Sequence, residues 1–546
     1  MKIVLVSINT KYLHSSLAVW YLLTSLKQNA AKTHDISVVE ATINQDIEDT
    51  AKAIIDRQPD LVAISTYIWN ASLLPSLIQQ MRVALGGVVI LLGGPEASYN
   101  PSYWLNNQAD YVLCGEGEFT IVELVNALEE KNESLLDSIS GLAYIKDNKL
   151  HQNPILATNS RYIDPYSEEY FSQLKGSIAY IESSRGCIFN CSYCLSGIEA
   201  VRYFPLEIIK KHIDRLASSG TKTIKFVDRT FNCNLNRAKE IVEYIVSLDT
   251  ECCFHFEVAA DLFDTELLQL LAAAPPGRIR LEIGIQSFSE ETLNAVMRRT
   301  NLTLVEQNIR LLMQNRNIHI HIDLIAGLPY ESLELFINSF NKAYSLAAHT
   351  LQLGFLKLLH GSRLREQTEE YGILFYKDPP YEVIRTTWLA ENDISILKQV
   401  ENALNNTYNK GRFLATLNYI MNTTKLSPFD MYYELGRAVP HHMISLQDYT
   451  EQITNFLLTL PNVDEKTLRD NIVIDMLRMT KGKGIPRALK SYGEARKRIA
   501  FLAKQKLNRN IDYDEVEVLL SGVGVYVDSL KRDPVTELYE IHQIEQ

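Results

Sequence analysis

The chain has 546 residues, which at roughly 150 residues per domain means about three domains and excludes a single small module. Apolar residues make up 46% and charged residues 22%, the balance of a soluble globular chain. Lys and Arg total 54 against 66 Asp and Glu, so the net charge of −12 excludes a global footprint for nucleic acid and leaves only a local basic patch open.

Seven cysteines are an odd and sparse count for this length. They argue against a disulfide scaffold and for reduced thiols in a cytosol. Met1 leads straight into Ile3-Val4-Leu5-Val6 with no basic leader, and no apolar run approaches the roughly 20 residues of a membrane helix. A soluble cytoplasmic protein without membrane partners is expected.

The first 130 residues alternate short β-rich runs with amphipathic stretches. Strands are predicted at Ile3–Ile8, Asp35–Glu40, Leu61–Tyr67, Val88–Gly93 and Tyr111–Cys114, with helices such as Ser16–Gln28 and Leu73–Leu85 between them. Near-continuous apolar strands joined by helices imply a parallel sheet covered on both faces, here a flavodoxin-like doubly wound α/β domain over 1–135. Its ligand would meet the carboxyl ends of the strands, at Ser65-Thr66-Tyr67, Gly93-Gly94-Pro95-Glu96 and Gly115-Glu116-Gly117-Glu118.

A polar link is expected over 136–175, with a small hairpin near Gly141–Leu150. A second βα series then occupies 176–372, with strands at Ile178–Ser183, Thr223–Val227, Cys253–Ala259, Arg278–Gln286, Ile318–Ala326 and Leu351–Leu359. Six units suggest a partial (β/α)6 barrel, incomplete relative to the eight-unit TIM form. In the fourth strand Arg278, Arg280, Glu282, Gly284 and Gln286 share one parity while isoleucines and a leucine fill the other. His319, His321 and Asp323 alternate in the same way in the fifth. The apolar parity packs helices, so the polar parity faces a wet or ligand-filled lumen. From 373 to 546 helical patterns dominate, ending in a short β-like tail at Val516–Ile541.

The strongest local signal follows the first strand of the second series: Arg185-Gly186-Cys187-Ile188-Phe189-Asn190-Cys191-Ser192-Tyr193-Cys194. Three thiolates turned toward one point suit a soft metal. A single zinc ion wants a fourth nearby ligand, whereas three thiolates fit a [4Fe-4S] cluster with one open iron. The spacing Cys-x3-Cys-x2-Cys, with an aromatic before the last cysteine, resembles the signature of the radical S-adenosylmethionine (SAM) enzymes.

That resemblance implies that Cys187, Cys191 and Cys194 hold the cluster and that SAM is cleaved there to a 5′-deoxyadenosyl radical. It places Tyr193 at the adenine edge and Asp228 at the SAM amine, where many relatives carry Gly-Gly-Glu. Glu257 closes the third strand on its polar parity. Gln286 and Ser287 would reach the ribose, Arg298 the SAM carboxylate, and Ile325 the adenine at the fifth-strand turn. An ordinary salt bridge inside the lumen stays open for each polar member. An electron donor such as flavodoxin or ferredoxin is implied as a partner.

No Gly-x-Gly-x-x-Gly follows the first strand, so a dinucleotide reading of the N-terminal domain is weak. Set before such a barrel, the domain looks like the cobalamin-binding module of the cobalamin-dependent branch. Ser65, Thr66, Tyr67, Gly93, Gly94, Glu96, Gly115, Glu116 and Glu118 would then line the corrin. The Asp-x-His-x-x-Gly that supplies a lower cobalt ligand is absent. His14 is therefore read as a capping or solvent histidine, and the resemblance implies cobalamin with no histidine on cobalt. RNA and ribosomal-protein methylthiotransferases are set aside because only Cys114 lies in the N-terminal domain and the C-terminus is helical.

The expected activity is cobalamin-dependent radical methylation of an unactivated carbon in a small-molecule or peptide substrate. Radical cyclisation, oxidation or rearrangement without methyl transfer is the alternative, and a cobalamin sensor or carrier the non-enzymatic one. Ten basic residues against Glu494 between Lys481 and Arg509 leave a contact with acidic substrate or RNA open, against a solvated helical face balanced by acids. Cys252, Cys253 and Cys233 read as structural, and His441-His442 lacks partners at metal-ligand spacing.

Overall fold

The computed structural model describes residues 1–156, 162–174, 176–197, 200–439 and 444–544. His441 and His442 lie outside these residues. Strands β1 (Lys2–Asn9), β2 (Asp35–Thr42), β3 (Leu61–Ser65), β4 (Val89–Gly93) and β5 (Tyr111–Leu113) pair in parallel in the order 2-1-3-4-5. That is the flavodoxin-like order expected from the alternation of strands and helices. Val4, Val6, Ile8, Ile64 and Leu92 are buried on one face of the sheet, and Ile3, Leu5, Ala63 and Leu91 on the other. Both faces are therefore covered.

The expected linker is corrected at its first half. β6 (Leu142–Lys146) and β7 (Lys149–Gln152) form the predicted hairpin, but β6 pairs antiparallel with β5, so the sheet has seven strands. An outer parallel strand leaves a row of unpaired backbone groups, and the hairpin covers it.

The second series forms a six-stranded parallel sheet in chain order. Its strands are β8 (Ala179–Ile181), β9 (Thr223–Phe226), β10 (Cys253–Val258), β11 (Ile279–Gln286), β12 (His319–Ala326) and β13 (Thr350–Phe355). Strict alternation of buried and half-buried residues along β11 and β12 matches the predicted parity. Arg278 departs from it. Its guanidinium is turned away from the lumen and donates to the carbonyls of Ile245 and Leu248 at 2.8 and 3.0 Å, capping the helix Leu235–Ser247.

Helices Glu391–Asn406, Leu414–Thr424, Pro428–Ala438, Leu446–Leu457, Glu465–Thr480 and Glu494–Leu507 build the C-terminal region. β14 (Val516–Val518), β15 (Gly524–Arg532) and β16 (Tyr539–Ile544) close it as an antiparallel sheet. The basic run 481–509 is no open patch along its whole length. Lys490 meets Asp514 at 2.9 Å, buried Arg496 meets Glu517 at 2.8 Å, and Arg509 meets Glu515 and Asp528 at 3.0 and 2.9 Å. Among the described residues no helix is long and apolar enough to cross a membrane.

Candidate functional site

A cavity of 730 Å³ lies where the carboxyl ends of the N-terminal sheet face β8, β9 and the cysteine loop. Ser65, Tyr67, Gly93, Gly94, Gly115, Glu116 and Glu118 line one side, as the sequence predicts. Tyr180, Glu182, Arg185, Gly186, Ser196 and Arg229 belong to the other. Two glycines shape the floor. A Cβ on Gly93 would meet nothing nearer than the Leu113 carbonyl oxygen at 3.8 Å, so the missing side chain leaves open space for a ligand. Gly94 has φ of +94°, and a Cβ there would lie 2.7 Å from the Thr66 carbonyl oxygen. Gly94→Ala is expected to cost about 1–3 kcal/mol, read as a lower midpoint in urea unfolding. Beside this floor Tyr67 stacks on Trp69 with centroids 4.3 Å apart and rings 6° from parallel.

Two N-terminal predictions need correction. Thr66 is fully buried, its amide donating to the Gly93 carbonyl at 2.7 Å, so it supports the floor from beneath. Glu96 is also buried and accepts from the Tyr381 hydroxyl, which ties the domain to the segment after the barrel. Glu116 and Glu118 line the cavity but are engaged by Arg185, at 3.1 and 2.5 Å. Glu182 meets the same guanidinium at 2.9 Å, and Arg202 joins Glu116. An ion-pair cluster thus links the first domain to the residue two positions before Cys187. His14 is held through Nδ1 by the Tyr180 hydroxyl, so it pairs with the barrel.

All three motif cysteines are free thiols on one loop. The loop is fixed by Ser192, whose amide donates to the Val296 carbonyl at 3.0 Å and whose carbonyl accepts from Leu364 at 2.8 Å. Backbone amides of Phe189 and Ser196 point at the sulfurs of Cys187 and Cys194, both at 3.4 Å. Arg298 Nη1 lies 3.8 Å from Cys191 Sγ. Burial raises the Cys191 thiol, and the Arg298 charge opposes it. Donors aimed at sulfur suit thiolates. Among the described residues no three His, Cys, Asp or Glu side chains converge as ligands of a single ion would. Thiolates that each bind a separate iron of a cluster need no such convergence.

Arg298 sits at the loop, its Nη2 donating to the Gly284 carbonyl, while its buried Nε has no hydrogen-bond partner among the described residues. Gln286 has φ of +73° at a bulge in β11, and its buried Oε1 also lacks a partner there. A strained polar residue and an orphaned guanidinium donor beside the thiols fit a polar ligand such as SAM. Ile325 keeps the lumen parity of β12, and Tyr193 is packed beside Cys191 and Arg298. Glu257 meets Lys225 at 3.5 Å, the lumen ion pair that the sequence left open, and Lys225 also meets Glu282 at 3.0 Å.

Asp228 and Ser287 are corrected. Fully buried Asp228 accepts from the Ser183 amide and hydroxyl at 2.9 and 2.7 Å and from the Ser184 hydroxyl, so it braces the strand entering the cysteine loop. Its neighbour Arg229 is the residue on the cavity. Ser287 is buried and donates to Glu331, whose carboxyl is pushed up to about 8 by burial. A carboxyl raised on folding favours the folded state below its ordinary range, and this is lost as pH rises toward about 8. The loss is about 1.4 kcal/mol per pH unit. Glu331→Gln is expected to flatten that decline in urea titrations between about pH 5 and 8.

Tyr180, Glu182 and Arg229 were not singled out by the motifs. Strand parity carried a signal for the first two, since Ala179 and Ile181 occupy the buried positions between them.

Comparisons with known proteins agree with this geometry. Residues 3–125 match the B12 binding domain, residues 181–343 the radical SAM superfamily, and residues 369–519 a protein of unknown function family, DUF4080. Uncharacterized methyltransferase PH0819 of Pyrococcus horikoshii is 24% identical over 57% of this chain and 70% of its own length. Cobalamin-dependent radical SAM methyltransferase TokK of Streptomyces tokunonensis is 23% identical over 60% of this chain and 51% of its own. Anaerobic magnesium-protoporphyrin IX monomethyl ester cyclase of Synechocystis is 24% identical over 43% and 49%. The chain spans about half the length of these last two.

Among solved structures, the radical SAM methyltransferase TsrM of Kitasatospora setae, with cobalamin and cluster bound, superposes with a TM-score of 0.58 at 18% identity. It covers 70% of this chain and 78% of its own. OxsB with aqua-cobalamin and SAM bound gives 0.61 at 14% identity, covering 87% and 79%. Those two likenesses show a shared fold. With both models matched in order and the cysteine loop set near the start of the second, the chain carries a B12 binding domain followed by a radical SAM domain, the pairing of its cobalamin-dependent radical SAM relatives.

Proposed function

We propose that the chain methylates an unactivated carbon of its substrate, using SAM and cobalamin together. The observation that supports this best is the single cavity bounded by the corrin-type glycine floor on one side and the flank of the cysteine loop on the other. When bound, the cluster and SAM would supply a hydrogen-abstracting radical and the corrin a transferable methyl group.

Cys187, Cys191 and Cys194 would hold the cluster. Arg298, with its unpartnered Nε–H, would orient the SAM carboxylate through a planar guanidinium. Gln286 would accept from a ligand hydroxyl at its orphaned Oε1. Gly93, Gly94 and Gly115 would let a broad ring approach the backbone, with Tyr67 and Trp69 packed along its edge. His14, on the same cavity, is oriented by the Tyr180 hydroxyl at its Nδ1.

Anaerobic reconstitution with reductant, cobalamin and SAM tests this reading. Methylation requires S-adenosylhomocysteine and 5′-deoxyadenosine together, whereas 5′-deoxyadenosine without S-adenosylhomocysteine favours cyclisation, as the cyclase relative suggests. Neither product in the wild-type protein would remove both readings.

A further inference from the structure

A second cavity, of 570 Å³, opens at the opposite end of the barrel. Its inner wall is the beginning of β10, β11 and β12, where His255, Arg280, His319 and His321 stand on the lumen parity. The C-terminal region supplies the outer wall, through 408–411 and 535–538 together with Arg532. That wall is fixed in place. Asn409 accepts from the Leu351 amide at 2.9 Å and donates to the Leu351 carbonyl at 2.8 Å. A Cβ on Gly277, just before β11, would lie 2.3 Å from the Pro534 carbonyl oxygen, so strand and tail are in direct contact.

The charge of this cavity is opposite to that of the whole chain. Arg280, Lys410 and Arg532 face a single lining carboxylate, Glu537, which pairs with Arg280 at 2.6 Å. The other two cations have no carboxylate within ion-pair distance among the described residues. Lys410 donates to Asn406 Oδ1 at 2.9 Å, and Arg532 donates to the Tyr539 hydroxyl at 2.8 Å. Burial and the Arg412 charge lower the Lys410 pKa, as befits a cation with no counter-charge.

His319 and His349 add donors rather than acids. His349 Nδ1 accepts from the Ile320 amide at 3.1 Å, so the neutral ring carries its proton on Nε2. His319 stacks on it at 4.9 Å, and burial, with these neighbours, holds His319 at about 3 and hence neutral. The nearest lumen carboxylates are already met from within. Glu282 lies 3.0 Å from both His255 and Lys225, and Asp323 lies 3.1 Å from His321.

We propose that this lower cavity binds an oxyanion, a carboxylate or phosphate, through Lys410, Arg532 and Arg280. The arrangement gives the C-terminal region a task, because Lys410 and Arg532 come from it and no barrel strand supplies them.

Calorimetric titration of the full cofactor-loaded chain with inorganic phosphate and with succinate tests the proposal. At least one should bind saturably with Kd below about 10 mM. Binding should weaken by about tenfold or more in Arg532→Gln and in Lys410→Gln, and stay unchanged in the exposed-helix variant Lys497→Gln. Preference between the two anions identifies phosphate or carboxylate as the group. Saturable binding of neither anion, or equal affinity in well-folded Arg532→Gln and Lys410→Gln, overturns the proposal. SAM cleavage plays no part in the readout, so a failure of the methylation reading leaves this result standing, and the reverse holds too.

Discussion

Cys191→Ala is expected to abolish 5′-deoxyadenosine formation while leaving the chain folded and able to retain cobalamin. The residue is buried in the loop, with the Arg298 guanidinium against its sulfur and Tyr193 packed beside it. Removing a proposed cluster ligand should cost more than the roughly 10–100-fold that loss of an outer partner costs. The loop itself should survive, because the Ser192 contacts to Val296 and Leu364 are made by backbone. Iron content and deoxyadenosine yield after anaerobic reconstitution check this. Wild-type yield from Cys191→Ala would detach the motif from the chemistry.

Arg185→Ala should be the most destabilising single change at the domain junction. Its guanidinium carries Glu116, Glu118 and Glu182 at once, with side chains only 12–21% exposed. It also stacks within 5.3 Å of the Tyr21 ring and 5.5 Å of the Phe204 ring. Without it three carboxylates share one half-buried space with Arg202 alone. Leaving buried charge uncompensated costs about 3–5 kcal/mol, and residual exposure places this case near the lower figure. Arg185→Lys should recover part of the loss, since a point charge replaces a fork that reaches several carboxylates. Urea unfolding monitored at neutral pH measures both, and cobalamin retention should fall in Arg185→Ala as the two walls of the cavity separate. An unchanged urea midpoint would show that the cluster of ion pairs contributes nothing net.

Much of the architecture was legible because the physics there is local and periodic. Runs such as Leu61–Ser65 and the alternation in Arg278–Gln286 fix strands and their faces. The cysteine spacing is equally local. What escaped depends on contacts between distant segments. Glu116 and Glu118 read as ligand contacts because nothing near them in sequence announces Arg185, some 70 positions on. Asp228 stood at the expected strand end, yet Ser183 and Ser184 take its oxygens. Glu96 looked like part of a corrin floor, and its partner Tyr381 lies beyond the barrel. The hairpin at Leu142–Gln152 was foreseen as a hairpin, but its pairing with β5 is a long-range choice driven by an exposed edge.

The lower cavity escaped for the same reason. Arg280, His319 and His321 were visible as polar parity in two separate strands, whereas His255, Lys410 and Arg532 join them only through the fold.

The corrin-type floor and the flank of the cysteine loop, through Arg185, Gly186, Leu195 and Ser196, share one cavity, which would set cluster and corrin close together. Electron paramagnetic resonance of the reduced cluster tests it most directly, recorded with and without one retained equivalent of cob(II)alamin. Two paramagnets across a single cavity should couple, so the cluster signal should broaden and relax faster when the corrinoid is loaded. A cluster signal unchanged by fully retained cob(II)alamin would contradict the account.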